Sequence, residues 1–162
     1  MAEEEMGLRE RVAHIDESKA WYGGFPTYYI YTMGVAGERF FREIKDRGRL
    51  LGTKCPKCDY TYLPPRLYCE RCFEKLEEWV EVSGEGTVHT YTVAHVDLEG
   101  RRLEELEVLA FVRLDGTDGG MVHRLKGVKP EEVSIGLRVK VAFKDRPSRT
   151  GSIGDIEGFR PL

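Results

Sequence analysis

The hydrophobic pattern of this chain changes period partway along. From Gly37 to Arg49 it is helical: Phe40, Phe41 and Ile44 share one face, Glu38, Arg42, Lys45 and Asp46 lie elsewhere, and Gly48 supplies a stop. Beyond residue 80 the period becomes two. Thr87 to Ala94 alternates, and Gly84 and Gly86 just before it predict a bent or bulged first strand. Val108 to Leu114 reads as a buried second strand, Asp115 to Gly120 as a turn by composition, and Met121 to Lys126 as the returning strand of that hairpin. Lys129 to Val133 carries Pro130 and two acids where a short helix begins, with Gly136 where it ends. Leu137, Val139, Val141 and Phe143 then alternate with Arg138, Lys140, Ala142 and Lys144 as a fourth strand, and Ile156 to Arg160 is the last. Five strands with a short helix between the third and fourth follow the order of an OB-fold, a small Greek-key barrel, although a generic five-stranded barrel gives similar strings.

Between helix and barrel the pattern is set by cysteine. All four lie in one stretch, as Cys55-x-x-Cys58 and Cys69-x-x-Cys72, two knuckles separated by ten residues. Each pair can turn both thiolates toward one ion, and two pairs complete the four-sulfur tetrahedron that zinc prefers. Pro56 and Asp59 favour a turn at the first knuckle, and Pro64-Pro65 before the second breaks any helix and lets the chain double back. The spacing predicts a zinc ribbon from Leu50 to about Trp79, with iron as the other metal that accepts four sulfurs. Two disulfides are the alternative, disfavoured because nothing before them reads as a secretory signal. Four thiolates leave no coordination position open, so the expected metal role is structural, and no cysteine remains for catalysis.

Residues 1–35 show no obvious core element. Trp21, Tyr22, Phe25, Tyr28, Tyr29 and Tyr31 put six aromatics into eleven residues, punctuated by glycine and proline. Such an arm lies across the protein's own body or docks on a partner, with Trp21, Tyr22, Tyr28, Tyr29 and Tyr31 as the candidate anchors. The expected organisation is an aromatic arm over 1–35, a helix and ribbon over 36–80, and a barrel over 81–162, the last two packed as one unit. At 162 residues the chain can bury a real core. Its formal charge of −3, the absence of any membrane-length apolar run and an acidic amino terminus predict a cytoplasmic protein. The sequence contains neither Asn nor Gln while Glu, Lys and Arg abound, which points to a hyperthermophilic, archaeal source and says nothing of activity.

The helix GERFFREIKDRGRLLG feeding the first knuckle, Pro64-Pro65-Arg66 before the second, and GEGTVHTYTV opening the barrel together resemble the DUF35 family over about residues 36–162. The resemblance implies a mainly β fold: an N-terminal helix, a rubredoxin-like zinc ribbon and a five-stranded OB-fold barrel. It also implies a non-catalytic partner of thiolase-fold enzymes acting on coenzyme A thioesters. Archaeal members resemble the component that joins acetoacetyl-CoA thiolase to HMG-CoA synthase in the mevalonate route.

The residues themselves offer no catalytic constellation. His89 and His123 fall on strands and read as barrel-face residues, Gly84-x-Gly86 lacks the third glycine of a dinucleotide fingerprint, and Gly151-Ser152-Ile153-Gly154 lacks the spacing of a nucleophile elbow. A charge cluster is the better candidate. Arg138, Lys140, Lys144, Arg146 and Arg149 stand against Asp145 alone in residues 138–149, a local charge of +4. Alternation would point Arg138, Lys140 and Lys144 the same way, with the loop arginines able to join them. A solvated barrel exterior is the plain reading; recognition of phosphate, such as those of coenzyme A, is the functional one. The leading expectation is a scaffold that bridges thiolase-type enzymes and helps enclose an acyl-CoA intermediate. Single-stranded nucleic-acid binding is the alternative, against which stand the negative net charge and aromatics that do not alternate with the basic strand. An acyl-CoA-handling enzyme in its own right ranks third.

Overall fold

In the computed structural model, which describes residues 31–97 and 99–162, the first element is the helix α1, Gly34–Arg47. It starts three residues before the expected Gly37, because Ala36 extends the stripe formed by Phe40 and Ile44, and these three are buried. Gly48 ends it in the left-handed conformation, φ 64°, where its N–H donates to the Ile44 carbonyl at 3.0 Å.

Three strands build the ribbon. β1 (Leu50–Cys55) is flanked by β2 (Tyr60–Tyr62) and β3 (Glu78–Val82), both antiparallel to it. β1 is buried along nearly its whole length, which fits a central strand covered on both faces. The Arg39 guanidinium lies 4.2 Å from the Trp79 ring centre, tying α1 to β3.

The remaining strands are β4 (Glu85–Val96), β5 (Arg102–Leu114), β6 (Gly120–Leu125), β7 (Arg138–Phe143) and β8 (Ile156–Pro161). They close in the order β4-β5-β6-β8-β7, with β7 returning to pair with Glu85–Thr87 of β4. This is the OB order expected from the alternation. The short helix between third and fourth strands is a single 3₁₀ turn, Pro130–Glu132. The predicted bend of the first strand is present: at Gly86 a Cβ would stand 2.3 Å from the Arg113 carbonyl oxygen, and the β4–β5 register shifts between Val88 and Thr90.

Val88, Val112, Val139, Ile156 and Phe159 fill the barrel, and Phe40, Ile44, Leu50, Leu63 and Val82 from helix and ribbon join the same core. Residues 32–162 are accordingly one compact unit. Polar contacts add to this joint. The backbone of Thr61 on β2 pairs with Asp118 in the β5–β6 turn: Asp118 N–H donates to the Thr61 carbonyl at 3.0 Å, and Thr61 N–H donates to the Asp118 carboxylate at 2.9 Å. The outer parts of β4 and β5, beyond Ala94 and before Val108, extend past the strands that the pattern predicts.

Candidate functional site

The two knuckles are built alike. In each, the residue after the second cysteine takes a left-handed backbone, Asp59 at φ 53° and Phe73 at φ 59°, turning the chain sharply enough to bring both sulfurs inward. Cys58 N–H lies 3.4 Å from the Cys55 sulfur, the short-range contact that shapes the first knuckle. In the second, Phe73 N–H donates to the Cys69 carbonyl and Cys69 N–H to the Glu74 carbonyl, both at 2.9 Å. The Pro-Pro-Arg segment is pinned to β1 by the buried Thr53, whose hydroxyl both donates to the Arg66 carbonyl and accepts from its N–H, each at 3.0 Å.

All four sulfurs lie within 4.8 Å of one another. Cys55 and Cys72 are 3.6 Å apart and Cys58 and Cys69 are 3.9 Å apart. A regular tetrahedron with metal–sulfur bonds of about 2.3 Å has an edge of about 3.8 Å, so the separations fit one central ion. A disulfide needs about 2.05 Å, and the four cysteines are free thiols; the disulfide alternative is overturned. The electrostatics agree with a cation requirement. The Cys58 thiol is pushed up to about 12 by its hydrogen bond with the Cys72 sulfur, by burial and by the other two sulfurs. Burial also opposes ionisation of Cys69, yet bonds from the Tyr62 hydroxyl and the N–H groups of Cys72 and Arg71 outweigh it and bring that thiol down to about 6. Packed this tightly, four thiolates need positive charge in their midst. Tyr62, buried, lies 3.2 Å from the Cys69 sulfur and accepts the Glu70 N–H at 3.3 Å, which orients the second knuckle.

The second knuckle exposes apolar side chains among charged ones such as Glu70, Arg71 and Lys75. Phe73 is 80% exposed, with Tyr68 and Leu67 also exposed nearby in the chain. Holding a bulky residue in the left-handed region costs about 1–2 kcal/mol, and here nothing is gained by burying it.

The three strand residues expected to point the same way, Arg138, Lys140 and Lys144, and the two loop arginines able to join them are engaged in different contacts. Arg138 makes a double contact with Asp115, at 2.9 and 2.6 Å, and Lys140 pairs with Glu85 at 3.0 Å. β7 ends at Phe143, where the register shift places an extra residue in β8, and the Lys144 N–H still donates to the Asp155 carbonyl at 2.9 Å. Arg149 turns toward the helix: Nε donates to the Lys144 carbonyl at 2.6 Å and Nη1 to the Ile44 carbonyl at 3.4 Å. Arg146 is exposed in a 3₁₀ turn. Lys144 instead lines a cleft of about 690 Å³ on the β5, β6 and β8 side, with Lys126, Arg124 and Arg160 as the other cations and Leu109, Val122, Ile153 and Ile156 as apolar lining. Arg124 pairs with Glu107 and Arg160 with Glu157. His123 also faces this cleft; burial pushes its pKa down, and its Nδ1 is buried with no hydrogen-bond partner among the described residues.

Of the aromatic anchors, Trp21, Tyr22, Tyr28 and Tyr29 lie outside the described residues, and Tyr31 is exposed. No helix among the described residues is long and apolar enough to cross a membrane.

Comparison with known proteins follows the same two-part layout. Residues 42–77 match the family described as the ChsH2 rubredoxin-like zinc ribbon domain, and residues 79–144 the ChsH2 C-terminal OB-fold domain. A DUF35 domain-containing scaffold protein of Methanocaldococcus jannaschii is 35% identical over 129 residues, covering 76% of this chain and 89% of the relative. One of the same description from Pyrococcus furiosus is 31% identical, covering 65% and 76%. Among solved structures, a DUF35 protein of unknown function from Sulfolobus solfataricus superposes with a TM-score of 0.59 at 30% identity, covering 79% of this chain and 84% of that one. A chain of the structure described as Ltp2-ChsH2(DUF35) aldolase gives a TM-score of 0.62 at 25% identity, covering 82% and 98%. With ribbon and barrel matched in order and a relative spanned over most of its length, this protein belongs to the DUF35 family.

Proposed function

We propose that this protein is a non-catalytic scaffold subunit for thiolase-fold enzymes acting on coenzyme A thioesters, with its ribbon braced by structural zinc and docked through the second knuckle. The observation that carries the reading is Phe73, a large apolar side chain held in water by a strained backbone next to a metal ligand. A metal-braced loop loses little entropy on docking, so an exposed ring there is worth more than one on a mobile loop. Support also comes from relatives described as scaffold proteins and from a DUF35 chain described together with an aldolase.

Acetoacetyl-CoA thiolase and HMG-CoA synthase are the partners that the resemblance favours. In this reading Cys55, Cys58, Cys69 and Cys72 hold the metal, and the ion does no chemistry beyond fixing the two knuckles. We assign contact with an acyl-CoA phosphate to Lys144 and Lys126 in the cleft, because Arg138 and Lys140 are already paired with acids.

The test is a pull-down from the native host with the tagged full-length chain and with Phe73→Ser, read by mass spectrometry and by metal content. We expect a thiolase-fold enzyme in stoichiometric amount with the parent chain and several-fold less with Phe73→Ser at unchanged metal content, since central aromatic anchors commonly carry about 2 kcal/mol or more. Turnover of acyl-CoA by the isolated chain, or undiminished capture by Phe73→Ser, overturns the proposal.

A further inference from the structure

The hairpin of β4 and β5 reaches beyond the barrel that it helps to close. β7 pairs with β4 only at Glu85–Thr87, and the Val88 backbone is bonded by Leu137 and Gly136. On the other side β6 pairs with β5 only over Val108–Arg113. Beyond Val88 the outer edge of β4 is therefore unpaired among the described residues; Thr90–Val93 lie against Val108–Phe111 of β5, which pair in turn with β6, and only where Ala94–Val96 run beside Arg102–Glu107 is the hairpin two strands with both lateral edges unpaired. An isolated pair of strands is marginally stable in water, and three or more are needed for stability.

The two edges differ in chemistry. Along β5 the outer segment is Arg102-Leu103-Glu104-Glu105-Leu106-Glu107, the kind of charged edge that discourages pairing. Along β4 it is Thr90-Tyr91-Thr92-Val93-Ala94-His95-Val96, with no Lys, Arg, Asp, Glu or Pro and with strong strand formers throughout. Thr90, Tyr91, Thr92, His95 and Val96 are exposed. Among the described residues one edge is guarded and the other is left open over seven residues, about 23 Å of strand.

The open edge also matches itself. Two copies laid antiparallel about Val93 set Tyr91 opposite His95 and Thr92 opposite Ala94 with no like charges facing, whereas β5 laid against itself brings acid against acid. Such a pairing is isologous and closes after two subunits. We propose that the β4 edge, Thr90–Val96, is a homodimerisation surface, on which a second copy of this chain adds its own β4 to make a four-stranded sheet across the pair.

Sedimentation velocity on the full-length chain tests this, alongside Thr92→Lys and, as a control on the guarded edge, Glu105→Lys, each checked for metal content and thermal melting. The expected result is a dimer for the parent and Glu105→Lys chains, and about tenfold weaker association for Thr92→Lys, since two symmetry-related lysines then face one seam. Amide exchange at Thr90–Val96 should be slow in the dimer and fast in Thr92→Lys. A parent chain that stays monomeric to near-millimolar concentration, protected β4 amides in such a monomer, or equal weakening by both lysine variants overturns the proposal.

Discussion

Around the four sulfurs the buried side chains are Tyr62, Leu76, Cys55 and Cys69, with Cys58, Cys72 and Tyr60 partly buried beside them. The barrel, by contrast, encloses Val88, Val108, Val112, Leu114, Val139, Ile156 and Phe159, and draws Phe40, Ile44, Leu50, Leu63 and Val82 into the same core. Two apolar side chains cannot offset the entropy of ordering about 25 residues at roughly 1–2 kcal/mol each, so the knuckles depend on metal–sulfur bonds where the barrel depends on apolar area. The difference also separates precision from bulk stability. A ribbon fixed by one ion can present Phe73 rigidly, while the barrel supplies the mass against which Leu63 and Thr61 anchor the ribbon's inner side.

The largest effect should come from breaking the ribbon alone. Chelation, or Cys72→Ser, removes an ion whose binding is worth on the order of 10 kcal/mol in small zinc-folded peptides. We expect residues from Cys55 to Lys75 to lose amide protection, while the barrel strands keep theirs and the β-type circular dichroism persists. Loss of the barrel strands at the same chelator concentration would mean that the two regions form one cooperative unit and that the contrast is false. The converse cut is Phe159→Ala. Its ring is fully buried at the centre of the barrel, and such truncations cost about 3–5 kcal/mol. Urea unfolding should show that loss in full, with metal affinity little changed.

How much of this was legible in the chain follows from the same contrast. The metal site could be read because thiolates at fixed spacing have few other uses, and the barrel strands because a buried face imposes alternation, as in Leu137 to Phe143. The outer hairpin could not be read: Arg102 to Glu107 is mostly exposed and has no core to impose a period. The basic cluster could be read as an alternating strand face, but not the pairing of Arg138 with Asp115 and of Lys140 with Glu85, since those acids lie far off in the sequence. Thr53, Tyr62, Asp118 and Arg149 act on backbone groups or sulfur, mostly far away in sequence, and no local pattern announces that. Asp155 had a signal, since Ser152-x-x-Asp155 has the spacing of a capping box.

Asp155 gives the next prediction, now within the barrel. It is fully buried and accepts the N–H groups of Thr150, Gly151 and Ser152 at 2.8, 2.7 and 3.3 Å, with the Thr150 hydroxyl at 3.3 Å. Burial alone would raise its pKa, but these donors win and hold it below the ordinary value of 3.8. A carboxylate lowered on folding contributes stability above its unfolded value, and that contribution fades as pH falls through the native value. Asp155→Asn should therefore cost about 1.5–3 kcal/mol at neutral pH, and the gap between the two proteins should close below pH 3.8. Taking the difference between parent and variant at each pH cancels the acid loss of metal that both share. A gap that stays constant with pH would show that the charge is not what orders the β7–β8 loop.

The smallest expected effect probes the helix joint. At Gly48 a Cβ would meet the Arg149 Nη1 at 2.6 Å, and the same guanidinium reaches the Ile44 carbonyl at the negative end of α1. Gly48→Ala should cost about 1–2 kcal/mol, partly from the φ of 64° and partly from displacing the arginine. Arg149→Ala should cost about 0.5–1.5 kcal/mol through the lost bonds to Lys144 and Ile44. The two losses share the guanidinium, so the double variant should lose less than their sum, by about 0.5 kcal/mol or more. Strict additivity would mean that the guanidinium swings aside freely. It would then hold neither the helix end nor the loop, leaving apolar packing as the whole of the contact between α1 and the barrel.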